Sequence, residues 1–196
     1  MLMIISVLIS STFLICTYGY FSNSKDSIKN SRIMSLTNAI VTSISASISF
    51  IEFQRNGIEN YNCYSNVFTN FISIFFVTYL ALDLIMGSML YPKQMTILSG
   101  YVHHSIFIPL SLYIIHKDQC GCLNLILIIE MPTIFLCLKS IIPSYKKSIN
   151  GLFGTFFLAF RVIFNAILIK DIIYYNIYQN YLYILAKHLE AFGAKQ

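Results

Sequence analysis

The sequence predicts an all-α protein: a polytopic membrane bundle of six to seven transmembrane helices. Three observations predict it. The 196 residues are 57% hydrophobic and only 11% charged, where a soluble domain carries about a quarter charged residues. Mean hydropathy is +0.69. Apolar stretches recur along the whole chain at about the 20 residues a helix needs to cross hydrocarbon. No hydrophilic stretch is long enough for a second domain, so 1–196 reads as a single transmembrane domain. The net charge of +5 is diluted among apolar stretches and suggests no nucleic-acid partner. In such a chain Lys and Arg report orientation.

The first stretch, 2–21, lacks a basic leading region and a small-x-small cleavage site. It reads as a retained span rather than a removed signal peptide. The second, 33–53, carries Ser43, Ser45, Ser47 and Ser49, small residues that let membrane helices approach closely. Spans follow at 67–90, 95–116, 122–142 and 152–173. A seventh stretch, 174–187, is short and Tyr-rich, and reads as a tilted span or an interfacial helix. Pro92 and Pro143 fall in connections, where a missing amide is harmless. Pro109 and Pro132 fall inside spans and are expected to kink them. With no Trp among its residues, the chain relies on its 14 Tyr for the interfacial aromatic belt.

Loop charges set an orientation. The odd connections hold Lys25, Lys29 and Arg32 against Asp26, then Lys93, then Lys139, Lys146 and Lys147. The even ones balance Arg55 against Glu52 and Glu59, and Lys117 against Asp118. The odd loops are therefore expected in the cytosol. Lys187 and Lys195 suit a cytosolic C-terminus if the seventh stretch crosses. Cys63, Cys120 and Cys122 fall at the even, non-cytosolic loops. A disulfide from Cys63 to Cys120 or Cys122 and three unpaired thiols both remain open. The C-x-C of Cys120 and Cys122 lacks the second ligand pair of a zinc site. His116 and His188 read as interfacial, and no metal site is expected.

The polar residues inside the spans share a depth. With a rise of about 1.5 Å per residue, Asn38, Asp83, His103, His104, Glu130 and Arg161 all fall roughly 9–18 Å from the cytosolic ends. Ionisable groups at such depth are costly and usually mark a site or a specific buried partner. A neutral imidazole can take the proton of an amine, hydroxyl or thiol nucleophile, and a neighbouring carboxylate can fix its tautomer. His103, His104 and Asp83 are therefore the candidate catalytic residues. Neighbours on a helix point about 100° apart, so one histidine faces the cavity and the other meets a neighbouring helix or a carboxylate. Glu130 pairs with Arg161 or serves the second histidine. The plainer readings stand beside these: a structural Glu130–Arg161 pair fixing helix register, Asp83 bonding a neighbouring helix, and a structural His pair.

The order of these elements resembles the TLC domain family, which includes the ceramide synthases and several smaller transmembrane proteins. The resemblance covers about 30–175. It rests on Asp83, Tyr91-Pro92, His103-His104, Glu130-Met131-Pro132-Thr133, Phe156-Phe157 and Arg161, with Ser31-Arg32 opening a Ser/Thr-rich helix. It implies acyl transfer from a thioester through His103 and His104, with acyl-CoA as co-substrate and no resident cofactor. It also implies an endoplasmic-reticulum-like membrane; the shared polar layer makes Asn38, Glu130, Thr133 and Arg161 the candidate substrate contacts, with a membrane lipid as partner. The chain departs from the small members at Asn38, near where they carry a histidine. It lacks the paired aspartates that ceramide synthases carry after the histidines and the soluble insert many of them have, and so is most similar to the small, non-synthase branch. The alternative to an enzyme is a lipid-binding, lipid-sensing or trafficking protein built on the same bundle.

Overall fold

Every element is helical in the computed structural model, which describes residues 2–22, 26–60 and 63–170. The stretch 174–187, with Lys187, and the further residues His188 and Lys195 lie outside the described residues, as does Lys25. Helix α1 (Leu2–Phe21) is followed by α2 (Ser27–Asn60) and α3 (Val67–Leu90). A 3-10 turn, Pro92–Gln94, and a π turn, Ile97–Val102, lead into α4 (His103–His116). Helix α5 (Cys120–Ile126), a 3-10 turn (Leu127–Glu130) and α6 (Met131–Ile141) form the next unit. After the 3-10 turn Pro143–Tyr145 comes α7 (Lys146–Phe156), which passes into a second π segment, Phe157–Phe164.

Among the described residues five helical stretches are long and apolar enough to cross a membrane: Met3–Phe21, Ser27–Gly57, Val67–Leu90, Cys120–Ile141 and Pro143–Lys170. The second and last run well beyond the 33–53 and 152–173 read from hydropathy alone, because hydropathy marks the apolar part of a helix and not its polar ends. Glu52 and Arg55 consequently lie on α2 rather than in a loop. The fourth expected span differs in kind. Its regular α-helix covers only 14 residues, about 21 Å at the α-helical rise, with a separate π turn before it, and 95–116 is not among the five stretches able to cross.

Local sequence explains the punctuation. Asn66 caps α3 in a capping box: its side chain accepts from the Thr69 amide, and the Thr69 hydroxyl accepts from the Asn66 amide. Asp118, at φ 58°, turns the chain after α4, a conformation Asp tolerates better than most residues. Gly57, at φ 68°, interrupts α2 near its end, where glycine carries no Cβ penalty. Pro132 occupies the first turn of α6 and has no amide for the carbonyl of Ile128. The Met131 amide meets that carbonyl instead, tightening the backbone into the 3-10 turn just before the proline.

Helix α2 is central, packing against α1, α3, α5 and α6, while α4 lies against α3 and α7 against α6. The core gathers Met34, Phe53, Phe75, Phe76, Leu80, Leu125, Ile128 and Phe164. Phe50 meets Phe164 edge-on at 5.3 Å, a favoured aromatic geometry. The alternating serines divide by face. Ser45 and Ser49 grip the fully buried Asn124: Ser45 Oγ donates to Asn124 Oδ1 at 2.8 Å, and Asn124 Nδ2 donates to Ser49 Oγ at 2.6 Å. Ser43 and Ser47 instead line a lateral apolar groove against Met131, Ile134 and Phe156. Asn124→Leu should lower stability by about 1–2 kcal/mol, since both serines lose their interhelical partner. A fall in the thermal midpoint in detergent, followed by helical circular dichroism, would report it.

At one end of the bundle a disulfide joins Cys63 to Cys122, with Cα atoms 4.5 Å apart. The same end is tied by the Ser65 amide to the Asp118 carbonyl at 3.0 Å and by the Cys120 amide to Ser65 Oγ at 3.1 Å. Cys120 stays a buried thiol. This is the end that the charge pattern assigns away from the cytosol.

Candidate functional site

The other end holds a polar cavity of about 190 Å³. Three backbone irregularities border it. The π turn Ile97–Val102 ends just before His103, the 3-10 turn Leu127–Glu130 ends at Glu130, and the second π segment carries Arg161. Departures of this kind re-aim side chains and recur at functional sites. Met95 sits between two helices where both lack a side chain. A Cβ at Gly87 would lie 2.6 Å from its Sδ, and one at Gly100 3.1 Å from its Cε. The glycines thus let the connection after α3 fold down onto the cavity.

Asp83 on α3 organises one wall. It is 5% exposed and receives a hydrogen bond from the Tyr91 hydroxyl at Oδ1, 3.0 Å away. Burial and the Asp83 charge push the Tyr91 phenol above its ordinary value, so it remains a donor. On its other oxygen, Asp83 Oδ2 lies 3.2 Å from His104 Nε2, at an angle short of a well-formed hydrogen bond. His104 Nδ1 lies 2.6 Å from the carbonyl of Gly100, one turn earlier.

That geometry dictates proton placement. A carbonyl only accepts, so His104 Nδ1 carries a hydrogen. The pair is then a carboxylate facing an imidazolium, or a carboxylic acid donating to a neutral ring. Either way Asp83 and His104 form a neutral couple with both ring nitrogens engaged. His104, only 4% exposed, is a locked structural partner.

His103 is different. Its ring stacks on Phe107 at 4.5 Å and meets His104 edge-on at 5.4 Å. Among the described residues neither of its nitrogens has a hydrogen-bond partner, and the side chain lines the cavity.

Across the cavity, Arg161 is committed to α6 and the turn before it. Nε donates to the Ile129 carbonyl and Nη2 to Thr133 Oγ1, both at 2.9 Å, and Nη2 stands 3.8 Å from Glu130 Oε1. Asn165 Nδ2 donates to the Arg161 carbonyl at 3.1 Å, holding its segment of backbone.

The cavity thus brings together His103, His104, Asp83, Glu130, Thr133 and Arg161. Asn38 is not in its lining. It is fully buried, and among the described residues its side-chain nitrogen and oxygen lack hydrogen-bond partners. The lining on α2 stops at Ser35, about one helical turn short of Asn38.

Sequence reasoning missed Arg32, Ser35, Tyr79 and Gln94, which also line the cavity. Tyr79 donates to Ser35 Oγ at 3.2 Å. Its spacing of four residues before Asp83 places both on one face of α3 and was a usable signal. In the sequence Arg32 reads as a loop charge and as the opening of a Ser/Thr-rich helix, not as a site residue. Its place on the second turn of α2 brings it inside.

Among the described residues no three His, Cys, Asp or Glu side chains gather to hold a metal ion. The site and fold define a class: a protein whose described residues are all-helical, with five helices among them able to cross a membrane, around a charged cavity. Beyond that class, the chain matches no family model, no curated protein and no solved structure.

Proposed function

We propose that this chain is an integral-membrane lipid-handling protein of the endoplasmic reticulum or a related internal membrane, performing acyl transfer at the cavity with His103 as the reacting imidazole. The observation that carries the reading is the unequal pair: His104 is locked by Asp83 and Gly100, while His103 presents unengaged nitrogens to the cavity. In this scheme the hydroxyl or amine acceptor attacks the carbonyl carbon of an acyl thioester such as acyl-CoA. His103 takes the acceptor's proton, the C–S bond breaks, and the proton passes to the departing thiolate. His104 and Asp83 hold the wall against which His103 works, and Glu130, Thr133 and Arg161 shape the far side. Membership of the TLC family, and with it the choice of membrane, rests on the order of Asp83, Tyr91-Pro92, His103-His104, Glu130 to Thr133 and Arg161 in the sequence.

One observation favours the second reading, a lipid binder or sensor without turnover. Asp83 orients His104, and no carboxylate orients His103. Lipid mass spectrometry on cells expressing wild type and His103→Ala at equal protein levels separates the two. A lipid class that changes with wild type and not with His103→Ala is the expected result. Profiles identical to those of non-expressing cells would sink acyl transfer and leave the binder.

A further inference from the structure

The structure assigns Arg32 as the group that receives an oxyanion, and hence a phosphate-bearing ligand as the occupant of the cavity. The argument is one of charge and of hydrogen bonds. Asp83 and His104 form one neutral couple, and Glu130 and Arg161 form another. Arg32 also lines the cavity but has no ion pair or hydrogen bond among the described residues. Its Nε is buried with no acceptor. Arginine cannot shed its proton, and a buried donor left unsatisfied is costly. The cavity therefore carries one uncompensated cation with a planar fork of donors, the geometry that suits phosphate or carboxylate oxygens.

Arg161 does not compete for the ligand, since its Nε and Nη2 are already engaged. The same spare charge disfavours a protonated amine such as a sphingoid base at this end of the cavity. The inference rests on reading the cavity as a ligand site and deepens the proposed function by naming the chemistry of the group bound there.

The test is thermal unfolding of the full chain in neutral detergent. The added probes are dioleoyl phosphatidic acid, dioleoyl phosphatidylcholine, sphingosine, and inorganic phosphate alone. Phosphatidic acid should raise the midpoint of wild type and of Lys147→Gln, an exposed control. Arg32→Gln should raise the half-saturating lipid concentration roughly tenfold or more, the scale of a charge-assisted contact. Arg32→Lys, which keeps the charge without the fork, should fall between. An Arg32-dependent shift from inorganic phosphate alone identifies a soluble phosphate as the source, whereas a shift from phosphatidic acid only identifies a lipid headgroup.

Equal shifts in wild type and Arg32→Gln would overturn the assignment. So would stabilisation of wild type by sphingosine in preference to phosphatidic acid, a contrast that decides the matter even if Arg32→Gln does not fold. Wild-type lipid profiles identical to those of non-expressing cells would remove acyl transfer and leave this binding result standing.

Discussion

Asp83→Ala should lower stability by about 3–5 kcal/mol, the cost of breaking a buried charge pair by removing one member. The loss is large because Asp83 has two dependants. The Tyr91 hydroxyl, 3% exposed at the residue level, loses its acceptor, and His104 Nε2 loses its counter-charge. His104 can release a proton and become neutral, which moves the cost toward the lower figure. Asp83→Asn discriminates the two proton arrangements. An amide there can accept from Tyr91 through its oxygen and donate to a neutral His104 through its nitrogen, while Nδ1 still donates to Gly100. Most of the stability should then return. Thermal midpoints in detergent for both variants check this. An Asn variant as damaged as the Ala variant would show that the imidazolium–carboxylate form is required.

The second large effect is a split between adjacent residues. His103→Ala removes a ring stacked on Phe107 and orphans no buried polar group, so about 1 kcal/mol of stability is expected to go. Any acyl transfer should fall by about 10²–10⁴-fold, the range of a general base. His104→Ala should instead lose several kcal/mol, since it strands the Asp83 carboxylate and the Gly100 carbonyl together. Midpoints and lipid profiles measured on both variants separate the roles. Equal destabilisation by the two substitutions would contradict the assignment of His104 as the locked member and His103 as the open one.

The class of fold was legible in one dimension. Long apolar runs with few charges have one backbone solution in hydrocarbon other than a closed barrel, because every amide and carbonyl must be satisfied within the chain. The shared depth of Asp83, His103, His104, Glu130 and Arg161 was also legible, because helical rise converts position into height without knowledge of neighbours. The capping of α3 by Asn66 and Thr69 is likewise a local matter.

What height cannot supply is azimuth and partner choice, and these the tertiary structure decided. Periodicity gives the angle between His103 and His104 but not which of them meets Asp83. That depends on how α3 lies against α4 and on the π turn that precedes His103. Asn38 has the right depth by count, yet the lining on α2 stops one turn earlier, at Ser35. Arg32 looks like a loop charge in the sequence because hydropathy gives no sign that α2 begins at Ser27. The choice of Cys122 over Cys120 as partner of Cys63 also follows from packing, since the two cysteines lie on different faces of the first turns of α5. Composition and spacing act along the chain and so determine class, span and depth. Pairing, proton placement and the spare charge of the cavity arise only when side chains distant in sequence are brought within a few ångströms of one another.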